Sequence, residues 1–495
     1  MDTSQDYYAA LGLAPDATPD DIKKAYRQLA RQYHPDAQQV PGTAMLFREI
    51  QTAYEVLSEP DKKTAYDRLR AEAGESPEST FNLRLQFSRN SMLVIPEEQI
   101  LYVLATLQAG RDSQHRQQRL PLNLCLVIDR STSMQGARLE QVKAATYQLI
   151  ESLDSDDTFS VVTFSDHADV VWPNQPAGDS VRTKAKVAAI QASGGTEILQ
   201  GMLLGLAELE KRRSLVAINH MILLTDGQTY GDEEQCLAQA NEAKKRSLSI
   251  TCMGLGDDWN DSLLDAIASR SGGTSAYVAT ADDVQRVFRD HLHGLNTLYA
   301  SDLHMLVREA EGVNLRNAFR LTPYLVRLTS EKDAISLGAL PVDNPLSLLM
   351  EIVVQPRQAG THRLAMIEVR GDVPMLNRTG ESIRQDLTME FAPPSPTSMQ
   401  TVPPAILSAL AKITIFQMQE NAWKSLDTGD VAEATRRLET MATRLLDLGE
   451  HQLARAALLE AGRLARSGHL SPAGRKAIKY GTRSLSLAPQ ERHHD

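Results

Sequence analysis

LCLVIDRSTSM, residues 124–134, sets an Asp-x-Ser-x-Ser cluster directly behind an apolar run that reads as a strand. Two later stretches belong with it. SGGTEI (193–198) is rich in glycine and hydroxyl groups, and ILLTDGQ (222–228) again ends an apolar strand in an aspartate. Asp129, Ser131, Ser133, Thr196 and Asp226 offer only oxygen donors, which is the ligand chemistry of Mg²⁺ rather than of zinc or copper. A single such segment reads equally well as a strand-to-helix turn with serines capping the helix. Three in this order favour a site, at the carboxyl ends of parallel strands where open α/β sheets bind ligands.

From about residue 122 to 295 the strand-like runs LNLCLVI, FSVVTFS, HMILLT and LSITCMGLG alternate with helical stretches. That pattern predicts a doubly wound α/β domain with a mostly parallel sheet over 118–295. On both sides the apolar period falls to two. Phe81, Leu83, Leu85 and Phe87 form one set, ILYVLATL (100–107) reads as a further strand, and Leu346, Leu348, Met350 and Ile352 form another set. Ala365, Ile367 and Val369, then Leu387, Met389 and Phe391, continue the pattern. Residues 80–117 and 296–391 are therefore expected to form one β-sandwich into which the α/β domain is inserted. Residues 71–79 (AEAGESPES) and 392–404 (APPSPTSMQTVPP) read as linkers. Residues 405–495 are helical, broken near Gly429, Gly449 and Gly468, as in a small antiparallel bundle. Their alanine- and leucine-rich helices are similar to tetratricopeptide repeats but lack the aromatic signature and fixed period. The fold class is multidomain α and β.

The three oxygen-rich segments resemble the metal-ion-dependent adhesion site of the von Willebrand factor A (vWA) domain, over about residues 118–295. The resemblance implies that Ser131, Ser133 and Thr196 are direct or near-direct ligands, with Asp129 and Asp226 often acting through water. It implies Mg²⁺ as the ion, with Mn²⁺ or Ca²⁺ as alternatives. Mg²⁺ keeps several waters, so an open position can accept a carboxylate from a partner protein. Glu197 stands where many members carry a neutral residue, and is expected either to alter the local field or to face solvent.

Ahead of all this, the period is helical. Ile22, Tyr26, Leu29 and Tyr33 share one helix face, and Phe47, Ile50, Tyr54 and Leu57 another. DYYAALGL (6–13), IKKAYRQLARQYHPD (22–36) and FREIQTAYEVLSEPDKKTAYDRLR (47–70) resemble the J-domain of DnaJ-type co-chaperones over residues 5–70. The match rests on His34-Pro35-Asp36 between two helices, on Tyr8 and Leu11, and on the closing pair Tyr66 and Asp67. The resemblance implies that this tripeptide and the basic face of Lys23, Lys24, Arg27 and Arg31 dock on a DnaK-type chaperone and stimulate its ATP hydrolysis. A positive face on an acidic chain suits steering toward an acidic partner. Gln28 and AQQVPGTA (37–44) depart from the basic residues often found at those places.

The remaining composition narrows the function. In 495 residues, 52 Lys and Arg face 63 Asp and Glu, a net charge of −11 that argues against general nucleic-acid binding. No apolar run approaches the roughly 18 residues of a membrane span. MDTSQDYYAALGL does not read as a secretory signal, and three scattered cysteines make neither a disulfide framework nor a zinc knuckle. A cytoplasmic protein is the expectation. No phosphate loop, nucleophile elbow or H-E-x-x-H pair occurs. GDDWND (256–261) reads as a solvated loop before a helix, and His291 and His293, two apart on a helix, point to different faces.

The expected function is a non-enzymatic co-chaperone or adaptor. Its J-domain recruits a DnaK-type ATPase while the vWA metal site binds a client or scaffold protein. The alternative is a vWA-based assembly scaffold, such as a partner of an AAA+ ATPase, in which the J-domain only docks. A metal-dependent hydrolase is the weakest reading, because no nucleophile or general base stands apart from the metal ligands.

Overall fold

The computed structural model of the chain divides into two units, residues 1–79 and 80–495. It describes residues 7–11, 13, 19–32, 43–59, 62–64 and 66 of the first unit. In the second it describes 80–110, 119–393 and 401–485, apart from 215, 230, 281, 332, 333 and 377.

In the first unit, α1 (Tyr7–Ala10), α2 (Pro19–Gln32) and α3 (Thr43–Leu57) enclose a small core of Tyr7, Tyr8, Leu11, Ile22, Ile50, Ala53, Leu57 and Tyr66. The rings of Tyr26 and Tyr54 stack between α2 and α3, with centroids 4.0 Å apart. The Tyr7 amide donates to the Tyr66 hydroxyl at 3.1 Å, so the closing tyrosine ties the end of the unit to its first helix. Lys23, Lys24 and Arg27 are exposed on α2 beside the fully buried Ile22. His34, Pro35, Asp36, Tyr33 and Asp67 lie outside the described residues, as does the side chain of Arg31.

In the second unit six strands form one sheet: β4 (Leu122–Asp129), β5 (Thr158–Phe164), β6 (Ala168–Pro176), β7 (Ile218–Thr225), β8 (Ser249–Leu255) and β9 (Ser275–Val278). Their order is β6-β5-β4-β7-β8-β9, parallel except for the edge strand β6. Helices α4 (Ala137–Ser152), α5 (Ser180–Ala188) and α9 (Asp283–Asn296) cover one face, and α6 (Ile198–Glu210), α7 (Glu233–Lys245) and α8 (Asp261–Ser271) the other. β4 is buried along its whole length, with Leu124, Leu126 and Ile128 on one face and Cys125 and Val127 on the other. That is why its sequence reads as a continuous apolar run. The chain builds outward from β4 to β6, then returns to β7 on β4's other side. The order therefore reverses between β4 and β7, and the crevice at their carboxyl ends is where such sheets bind ligands.

β1 (Phe81–Phe87), β2 (Ser91–Leu93) and β3 (Gln99–Ala109) precede this domain, and β10 (Leu298–Glu309), β11 (Val313–Arg320), β12 (Val326–Leu328), β13 (Ser330–Glu331), β14 (Ala334–Pro341), β15 (Leu346–Val354), β16 (Gly360–Val373) and β17 (Arg378–Ala392) follow it. They make one sandwich, a five-stranded sheet β1-β3-β15-β11-β12 facing a six-stranded sheet β13-β14-β10-β16-β17-β2 over a common core. β3 pairs with β15 across more than 230 residues of chain, Val103 opposite Met350, so the α/β domain is an insertion.

Past Pro403, α10 (Pro404–Asp427), α11 (Val431–Asp447), α12 (His451–Ser467) and α13 (Pro472–Arg483) pack around Leu438, Met441, Leu445, Leu464 and Ile478. This region is not a detached bundle. Ile406, Ala409, Ile413 and Phe416 of α10 cover Leu104, Phe319 and Leu349 on the outer face of the five-stranded sheet. β15 is consequently buried on both faces, although its alternation predicts one. At the other end α13 sits on the α/β domain, and this corrects the reading of GDDWND. Only Asp258 among those six residues is exposed, while Trp259 is 2% exposed. The Lys476 ammonium donates to the carbonyls of Asp257 (2.5 Å) and Trp259 (2.7 Å) and lies 4.4 Å from the Trp259 ring centroid.

Candidate functional site: the crevice between β4 and β7

Asp129 is the last residue of β4 and Asp226 the first after β7, so parallel pairing of these neighbours brings two carboxylates to one sheet edge. Both are fully buried. The Ser131 amide donates to Asp129 Oδ1 (2.7 Å) and the Thr225 hydroxyl to Oδ2 (2.6 Å). Ser133 Oγ donates to Asp226 Oδ1 at 2.6 Å and lies 3.0 Å from Ser131 Oγ. Four of the five residues singled out by the sequence thus form one hydrogen-bonded group. Thr196 reaches it from the loop before α6, where its Oγ1 lies against Gly227; a Cβ on that glycine would come within 2.8 Å of the hydroxyl oxygen.

The loops are tied to one another by backbone. The Thr132 amide donates to the Gly194 carbonyl (3.1 Å) and the Ser193 amide to the Arg130 carbonyl (2.7 Å). The Asp166 carboxylate accepts from the Gly195 amide at 2.7 Å, holding the glycine pair in place. Ser133 is exposed while both aspartates and Ser131 are covered, so the group opens to solvent at Ser133. Glu197 is exposed as well and does not enter the group.

Burial pushes the Asp129 carboxyl up to about 6, overriding the hydrogen bonds from Thr225 and Ser131, and the Asp226 charge adds to the rise. Two carboxylates in a covered site call for a compensating positive charge. Among the described residues, one cation reaches the pair, and it does so at Asp226: Arg138, whose Nη1 is 2.5 Å from Asp226 Oδ2. The donor set of two carboxylates and three hydroxyls, with one open side, fits a hard divalent ion that keeps some of its waters. Among the described residues no group of three or more His, Cys, Asp or Glu side chains is placed to hold a metal ion.

Sequence reasoning missed three residues here and a fourth elsewhere in the same domain. Thr225 adjoins Asp226, and a hydroxyl before a strand-end aspartate was the available signal. Asp166 and Arg138 carry no signal, since an acidic turn residue and a basic helix residue are ordinary surface composition. The fourth is His220, which lies away from the crevice near the start of β7; His291 and His293 do face different ways, as their spacing predicts. His291 meets His220 of β7 with their Nε2 atoms 2.9 Å apart, and His220 Nδ1 lies 2.6 Å from Ser249 Oγ. Spacing along one helix says nothing of a partner on a strand.

Comparison with known proteins follows these boundaries. Family models match residues 6–67 as a DnaJ domain, 123–290 as a von Willebrand factor type A domain, and 404–488 as the Sll0103-like C-terminal alpha-helical domain. The uncharacterized protein sll0103 of Synechocystis sp. (strain ATCC 27184 / PCC 6803 / Kazusa) is 31% identical over 334 residues, 66% of this chain and 78% of that protein. The chaperone protein DnaJ of Methanosarcina thermophila is 57% identical over 68 residues, 14% of this chain and 18% of that one. Against the chaperones it matches, the chain thus spans under a fifth of their length. Among solved structures, a von Willebrand factor type A protein from Catenulispora acidiphila superposes with a TM-score of 0.64 at 16% identity, covering 83% of this chain and 98% of that one. The ArnB paralog VWA2 from Sulfolobus acidocaldarius does so with a TM-score of 0.50 at 15% identity, covering 82% of this chain and all of that one. At these identities the structural likeness speaks for the fold alone. With the sandwich-inserted α/β domain and the distinctive C-terminal helices both matched, the chain belongs to the Sll0103-like family of von Willebrand factor A proteins and carries a DnaJ domain at its N-terminus.

Proposed function

We propose that the chain is a non-enzymatic, cytoplasmic J-domain adaptor. Its J-domain recruits a DnaK-type chaperone and stimulates that partner's ATPase, while the vWA crevice, holding Mg²⁺, binds a client or scaffold protein. The observation that carries this reading is the joining, in one chain, of a DnaJ domain 57% identical to an authentic chaperone's with a sheet whose strand ends gather an all-oxygen group. Lys23, Lys24, Arg27 and Arg31 would dock the chaperone, and His34, Pro35 and Asp36 act on its ATPase cycle. Asp129, Ser131, Ser133, Thr196 and Asp226 would hold the ion. Bound there, Mg²⁺ supplies a Lewis-acidic position for a partner's carboxylate. The Thr225 and Ser131 donors would fix the Asp129 carboxylate in place, and Ser133 would do the same for Asp226. Covalent linkage of two binding modules raises the chaperone's effective concentration at whatever the crevice holds.

The decisive measurement is single-turnover ATP hydrolysis by a DnaK-type chaperone with the intact chain and with His34→Gln. We expect stimulation by the intact chain and none by the variant. No stimulation by the intact chain sinks the co-chaperone half and leaves the vWA domain as an assembly scaffold.

The crevice is tested separately with Gly227→Ala. The added methyl must displace the Thr196 hydroxyl, since Gly227 has room for no side chain on that side. We expect Mg²⁺ affinity, read by isothermal titration calorimetry, to fall at least tenfold with little change in the melting temperature of the metal-free protein. Unchanged affinity removes Thr196 from the ligand set.

A further inference from the structure

Asp226 has no free oxygen. Ser133 donates to Oδ1 at 2.6 Å, and Arg138, in the first turn of α4, holds Oδ2 at 2.5 Å. The two ends of this pair differ in environment. The carboxylate is wholly buried, whereas the arginine side chain is 36% exposed and reaches in from the rim. A long, water-facing stem of this kind withdraws into solvent without leaving a cavity.

The wall facing the guanidinium is shaped for it. Gly256, in the loop after β8, has φ +65°, a conformation that favours glycine, and a Cβ there would come within 2.9 Å of Arg138 Nη2. Arg138 Nη1 is also 3.5 Å from the Ser133 carbonyl. The guanidinium thus has a seat between Asp226, the Ser133 carbonyl in the loop after β4 and the loop after β8. Its single charge pairs with Asp226, and no other described cation does so.

We propose that Arg138 is a tethered counter-cation of the crevice, so that a divalent ion enters by exchange: the guanidinium gives up Asp226 Oδ2 as the ion takes it. This rests on the Mg²⁺ reading above. The reason is electrostatic. A divalent ion held by these oxygens would share Asp226 with the guanidinium, and like charges on one carboxylate would repel strongly in a partly covered site. Arg138 therefore weakens metal affinity while protecting the metal-free fold from a buried, unpaired carboxylate. An ordinary structural ion pair would support the ligands, and its loss would lower both quantities.

The test compares the intact chain with Arg138→Met and Arg138→Lys. Mg²⁺ and Mn²⁺ affinities are measured by titration calorimetry, and thermal stability in chelator and in saturating Mg²⁺. Arg138→Met should bind Mg²⁺ at least tenfold more tightly than the intact chain, yet melt several degrees lower in chelator and recover when Mg²⁺ is added. Arg138→Lys, which keeps the charge, should stay close to the intact chain in both. If Arg138→Met does not fold in chelator, recovery of the fold on adding Mg²⁺ reads the same exchange, and failure to recover overturns it. Equal or weaker binding by Arg138→Met, with the intact chain binding normally, overturns the exchange and leaves the metal reading standing. Binding by neither protein overturns the metal reading itself, and the exchange with it.

Discussion

Asp265→Ala should cost the 80–495 unit about 2–3 kcal/mol and loosen α13 from the α/β domain, because it strips one part-buried carboxylate from several partners at once. Asp265 lies on α8 and accepts hydrogen bonds from Ser275 and, at 2.8 Å, from the Tyr480 hydroxyl. It pairs with Lys479 (2.8 Å) and Arg483 (2.9 Å), both on α13. Burial works to raise its carboxyl, but Arg483 and Lys479 outweigh that and hold it below the usual carboxylate range. The alanine takes away Arg483's carboxylate and leaves Lys479 with Asp261 alone, both cations lying over the Tyr480 ring, which clusters with those of Trp259 and Tyr277. Nearby, the Trp259 indole lies against Gly254, where a Cβ would approach within 2.0 Å, so the cluster has little room to rearrange. Urea denaturation would measure the loss, and amide exchange would locate it in residues 472–483. Protection of α13 that matches the unaltered chain would show that Lys476 and apolar packing alone seat the helix.

The second large effect is a pH dependence centred on His220 and His291. Burial lowers both: His291 falls from its ordinary value near 6.5 to about 4, and His220, further lowered by His291, falls well below that ordinary value. Below pH 6.5 the unfolded chain takes up protons on these rings that the folded chain refuses. Their contribution to stability is therefore full above about pH 6.5, is lost as pH falls toward 4, and changes little for His291 below that. The loss approaches about 1.4 kcal/mol per pH unit for each histidine inside that window. Asp129 works in the opposite direction, since its raised carboxyl binds a proton in the folded state first. The measurement must therefore be a difference. Between pH 6.5 and 4, the stability of a His220→Gln/His291→Gln variant should fall less steeply than that of the unaltered chain, by up to two protons' worth of slope. Parallel curves would mean that the pair accommodates charge in the folded state.

How much of this was legible in the residues differs from element to element. β4 and β7 were readable because strands covered on both faces need unbroken apolar runs, and a polar residue ending such a run marks where the strand meets the crevice. Parallel pairing of β4 and β7 accounts for Asp129 and Asp226 at one edge, while Ser131, Ser133 and Thr196 were legible through the resemblance to the vWA metal site. β15 was misleading in part. Its alternation at period two is real, but the intervening Leu349 is covered by α10, a helix that begins more than fifty residues later. Arg138, the histidine pair and the seat of α13 were not readable at all. Each joins residues from different elements, and a lone arginine, histidine or lysine is compatible with any solvated surface.

What the sequence by itself determined is therefore the set of domains, their order and the chemistry available in each. Periodicity, turn residues and local motifs depend on neighbours within about a dozen positions, and one chain records them directly. The tertiary structure alone decided which charges meet. It set Arg138 on Asp226, His220 against His291, and Lys479 and Arg483 on Asp265, across separations from 71 to 218 residues. Such pairs draw their energy from burial after the backbone has closed around them, and no local pattern encodes that burial.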